Sequence, residues 1–130
     1  MFNFLKKGRS VAASEDVPVA QPVVDHDKLV AEAAAIAPQV EAAEGVAKAD
    51  LLDKRGELLA RAGEADEAIL AFEESIEVEK RMGAAYKGLT ALYNQKRREA
   101  AAAKDDAATK EWFDKLQALM QSSKDMLRGK

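Results

Sequence analysis

The sequence predicts an all-α protein, and three observations carry that prediction. Alanine, the strongest helix former, fills 27 of the 130 positions. Apolar residues recur at intervals of three and four along most of the chain, the period of a helix with one buried face. No stretch shows the alternation of β-branched and polar residues that marks a strand. With so much alanine, the core must come from close approach of helices rather than from bulky side chains. The length allows one domain.

The elements follow in order. Residues 10–24, SVAASEDVPVAQPVV, contain two prolines and no helical period, so residues 1–24 are expected to form a flexible, disordered N-terminal tail and linker. The helical domain then spans 25–130. Asp25 or Asp27 suits an N-cap for a first helix whose apolar positions are Leu29, Val30, Ala33, Ile36, Ala37 and Val40. Pro38 lies within it and is expected to kink or divide it, because proline lacks a donor and clashes one turn back. Gly45 closes that element.

A second helix is expected over about residues 47–62, with Leu51, Leu52, Leu58 and Leu59 as its stripe, and a third over about 65–80 with Ala68, Ile69, Phe72, Ile76 and Val78. Gly83 separates the third from a fourth that starts near Ala84 and carries Tyr86, Leu89, Leu92 and Tyr93, continuing through 95–104. Asp105 and Asp106 can cap a last helix bearing Trp112, Phe113, Leu116, Leu119, Met120 and Leu127. The expected architecture is an antiparallel array of about five helices.

Gly56 and Gly63 stand seven residues apart in otherwise strong helix formers, GELLARAGEADEAILAFEES. A glycine inside a helix costs roughly 1 kcal/mol relative to alanine, so each position needs a geometric reason. Gly56 is expected to admit a large group from the partner helix, and Gly63 to adopt the positive φ of a tight helix end. Ala68 is expected to face Gly56, with Phe72 filling the space beside it.

The register Leu52, Gly56, Leu59, Gly63, Ala68, Phe72 and Ser75 resembles the tetratricopeptide repeat (TPR), a helix–turn–helix unit of about 34 residues. Leu52 stands for its usual Trp, Leu59 for its Tyr and Ser75 for a small residue; Arg55 and Lys80 depart from its Leu and Pro. One repeat of about 34 residues further on, Tyr86, Leu89 and Tyr93 fall in register, with Thr90 at the glycine position. Arg97 and Asp106 then break it. The resemblance covers residues 49–82 as one clear repeat and 83–128 as a degenerate, stretched one.

The resemblance implies a protein or peptide ligand held in a groove lined by the first helix of each pair. Carried onto this chain, that face would present Asp50, Asp53, Glu57 and Arg61 from one helix and Lys87, Ala91, Asn94 and Arg98 from the other. Acid on one wall and base on the other would favour a ligand carrying both charges. Lys87 and Asn94 do not reproduce the paired Lys and Asn of the carboxylate-binding versions of the family.

Charge is uneven along the chain. Residues 11–80 hold 17 acids against 6 bases, and residues 81–130 hold 11 bases against 6 acids. Such asymmetry can guide association, so a self-assembling homo-oligomer stands beside the adaptor or scaffold reading. Lys96, Arg97 and Arg98 have no aromatic residues among them and the chain is acidic overall, so no nucleic-acid partner is expected. MFNFLKKGR, residues 1–9, joins Phe2, Phe4 and Leu5 to three bases and offers weak contact with an anionic membrane or a protein.

There is no cysteine and a single histidine, His26, so neither a thiolate nucleophile nor a Cys- or His-based metal site is expected, and no cofactor. No apolar run approaches the ~20 residues of a membrane-spanning helix. A non-enzymatic, cytoplasmic interaction protein is the expectation.

Overall fold

A computed structural model describes residues 21–129, and side chains from residue 25 onward. Six helical segments follow one another: α1 (Gln21–Ala35), α2 (Ala37–Ala42), α3 (Gly45–Arg61), α4 (Ala65–Val78), α5 (Ala84–Ala102) and α6 (Asp106–Leu127). The protein is all-α, as the alanine content and helical period predict. The expected tail lies outside the described residues as far as residue 20.

Residues 21–24, expected to belong to the linker, instead open α1. Pro22 sits in the first turn of that helix, where a missing donor has no intrahelical partner to lose. Asp25 and Asp27 are therefore inside α1 rather than at its cap. Pro38 divides the expected first helix: α1 ends at Ala35, Ile36 forms the turn, and Pro38 lies in the first turn of α2.

The turn from α3 to α4 is a Schellman closure. Gly63 takes φ +85°, its N–H bonds Ala60 O at 3.0 Å, and Glu64 N–H reaches back to Leu59 O at 2.9 Å. The end of α5 repeats that pattern with Lys104 at φ 60°: Lys104 N–H bonds Ala101 O and Asp105 N–H bonds Ala100 O. Asp105 then caps α6, its carboxylate accepting from Ala108 N–H at 3.0 Å.

Among the described residues, α3 packs on α4, α4 on α5 and α5 on α6, while α1 and α2 cover α3. The first members of the two hairpins, α3 and α5, also touch each other. A single core runs through the array: Leu29, Ala33, Ile36 and Val40 meet Leu52, Leu58 and Leu59, which continue through Ala68, Ile69 and Phe72 to Tyr86, Leu89, Leu92, Tyr93, Leu116 and Leu119.

Phe72 joins three helices. A Cβ on Gly56 of α3 would stand 2.7–2.8 Å from one edge of its ring, and a Cβ on Gly88 of α5 would stand 2.5–3.0 Å from the other. The large group that Gly56 admits is thus the Phe72 ring, which stands directly against the glycine rather than beside it. Gly88, a second glycine serving the same ring, carries no periodic signal in the sequence.

Among the described residues Ser75 is the one buried polar side chain of the core, with its hydroxyl 3.2 Å from Ala49 O and 2.6 Å from Asp53 Oδ1. It ties α4 to α3 where a larger residue would not fit. On α6 the expected stripe is only half buried. Phe113, Met120 and Leu127 remain 47%, 44% and 75% exposed, because α6 packs mainly on α5 and no described helix covers its outer face.

Candidate functional site

The hairpins are held side by side by Phe72, and this leaves a groove of about 850 Å3 between α3 and α5. Its floor is apolar, made of Leu58, Phe72 and Leu92. The α3 wall presents Lys54, Glu57, Ala60 and Arg61; the α5 wall presents Ala84, Lys87, Gly88, Ala91 and Gln95. Residues 54, 57 and 61 share one face of α3 because intervals of three and four return to one side of a helix. Residues 84, 87 or 88, 91 and 95 do the same on α5.

Of the residues expected to line such a groove, Glu57, Arg61, Lys87 and Ala91 do so. Asp50 and Asp53 do not. Arg81, in the loop between α4 and α5, reaches Asp50 Oδ1 at 2.6 Å and Asp53 Oδ2 at 3.1 Å. The hydrogen bond to Asp50 above all raises the affinity of the Arg81 guanidinium for its proton. Asn94 accepts a hydrogen bond from Arg97 Nη2 at 3.2 Å, and Arg98 is exposed outside the groove.

Sequence reasoning missed Lys54, Gln95 and the small residues Ala60, Ala84 and Gly88. The period of seven between Lys54 and Arg61 was a signal for the first. Gly88 could have been found by asking of it what was asked of Gly56.

Of the basic run on α5, Lys96 is engaged with other helices. Lys96 Nζ pairs with Asp66 of α4 at 2.7 Å and lies 5.9 Å from the centre of the Trp112 ring. Beside it, Tyr93 donates to Glu73 Oε2, with Lys115 Nζ 3.3 Å from the same oxygen. Burial first, then the bond to Glu73, holds the Tyr93 phenol well above its ordinary pKa, so it remains a donor. Trp112 and Tyr93 stand 5.8 Å apart in a tilted pair. This corner fastens α4, α5 and α6 together.

His26 bridges α1 to the α3–α4 turn, with Nε2 2.8 Å from Glu64 Oε2 and Nδ1 3.0 Å from Asp27 Oδ1. Hydrogen bonding to Glu64, then to Asp27, raises its pKa above 6.5. Among the described residues no three potential ligand side chains gather as a metal site would require, and no helix is long and apolar enough to cross a membrane. Comparison of the chain with known proteins finds no matching family model, and no significant match among curated proteins or solved structures.

Proposed function

We propose that this protein is a non-catalytic interaction module, an adaptor or scaffold, that holds a peptide or protein segment in the groove between α3 and α5. One observation carries the reading: the described residues build a concave apolar floor between two walls with charged rims and leave it open. Its volume falls within the roughly 300–1,000 Å3 typical of ligand sites. Cytoplasmic adaptor work fits the absence of cysteine from the sequence.

The likeness to a tetratricopeptide repeat supports the same reading. Leu52, Leu59, Ala68, Phe72, Ser75, Tyr86, Leu89 and Tyr93 are all buried, and each serves packing between or within the hairpins. On that basis α3 and α4 form the clear repeat and α5 and α6 the stretched one. The stretch has a physical form: α5 runs on to Ala102, so α6 starts about two turns later than a repeat of about 34 residues would place it. Arg97 and Asp106 fall out of register for that reason.

Ala91 is exposed and lines the groove, so Ala91→Trp fills the groove without entering the core. Affinity capture with the wild-type protein should recover partners that the variant loses, while helicity and melting temperature stay the same. Equal capture by both proteins overturns the groove as the working surface.

A further inference from the structure

We infer that the ligand of this groove is an acidic segment with a bulky apolar anchor, an inference that rests on the groove being the binding surface. The sequence alone suggests opposed walls of acid and base. The tertiary structure removes most of the acid. Asp50 and Asp53 are bound to Arg81 and stand away from the groove. Among the charged residues that line it, Lys54, Arg61 and Lys87 are basic and only Glu57 is acidic.

None of these four makes an ion pair among the described residues. All four are exposed. A basic segment would meet three like charges with one carboxylate to offset them, and like-charge juxtaposition excludes wrong partners. An acidic segment gains from the same arrangement, chiefly through faster encounter and sensitivity to salt. MFNFLKKGR, with Lys6, Lys7 and Arg9, has the wrong sign to be the occupant.

The apolar half of the requirement comes from the floor and the small walls. Ala60, Ala84, Gly88 and Ala91 are small and leave the groove open above Leu58, Phe72 and Leu92, whose outermost atoms form its floor. One large apolar side chain of the ligand can enter there, with carboxylates on either side of it meeting the rim.

The test is selection of random short peptides displayed on phage against the full chain, followed by affinity measurement of the enriched peptides. Peptides of net negative charge with a large apolar residue should dominate. Their affinity should fall by about tenfold or more for Arg61→Glu/Lys87→Glu, which is about 1.4 kcal/mol. It should rise for Glu57→Lys and be lost for Ala91→Trp. All these positions are exposed, and circular dichroism checks that each variant folds. Neutral or basic peptides that bind wild type and are lost with Ala91→Trp overturn the acidic ligand and leave the groove reading standing. No enrichment, or enriched peptides indifferent to Ala91→Trp, overturns both.

Discussion

The ring of Phe72 lies between Gly56 and Gly88, and a side chain at either glycine would have to displace it. The ring cannot move far, because it is almost fully buried between α3 and α5. Gly56→Ala and Gly88→Ala should therefore each cost about 1–3 kcal/mol by overpacking, against the gain alanine ordinarily brings to a helix. In a Phe72→Leu background the cost of Gly88→Ala should shrink, since contacting residues couple. Urea melts of the four proteins (wild type, both singles and the double) measure this, and additive costs would show that the ring is not the obstacle. Lys104 offers the opposite change. Its φ of 60° costs an L-residue about 1–2 kcal/mol, so Lys104→Gly should stabilise by up to about 1 kcal/mol after glycine's entropy is counted. A thermal melt that moves downward refutes it.

At the scale of elements, α1 is expected to show a pH-dependent attachment through His26. Its buried residues Leu29 and Ala33 pack on the core, and His26 adds a polar tie to Glu64 at the start of α4. Glu64 and then Asp27 raise the His26 pKa above 6.5 in the folded state. The contribution of that tie is fully present below the unfolded pKa of 6.5 and fades as pH rises through the higher folded value. Amide exchange in α1 should accelerate, beyond the intrinsic pH effect, as pH rises above 6.5. Glu64→Gln should remove most of that extra change. Persistence of the full pH effect in the variant would assign it to another group.

For the whole molecule, the acidic middle and the basic end of the chain meet within one copy. Arg81 joins Asp50 and Asp53, Lys96 joins Asp66, and Lys115 joins Glu73. These pairs use charges that could otherwise have drawn two copies together. Light scattering should accordingly give the mass of one chain at both low and high salt; a larger mass that falls with salt would restore assembly through opposite charge. Lys54, Arg61 and Lys87 take no part in these pairs and line the groove instead.

The sequence by itself determined the helices, since their period, glycine ends and the Asp105 cap act over a turn or two and leave a local trace. It also marked Leu52, Leu59, Phe72 and Tyr86 as core, because apolar spacing reports which side of a helix is dry. It misjudged Phe113, Met120 and Leu127, whose spacing is equally regular, because burial needs a neighbour and no described helix covers that face of α6. Part of the groove was legible by another route: the resemblance to a tetratricopeptide repeat pointed to Glu57, Arg61, Lys87 and Ala91. Only the tertiary structure decided the rest. Arg81 lies about thirty residues from Asp50 and Asp53, and the bond that withdraws those acids depends on how the α4–α5 loop folds back across α3. Gly88 meets Phe72 across two helices. Contacts between distant residues follow from the packing of whole elements, and no local pattern in the chain encodes them.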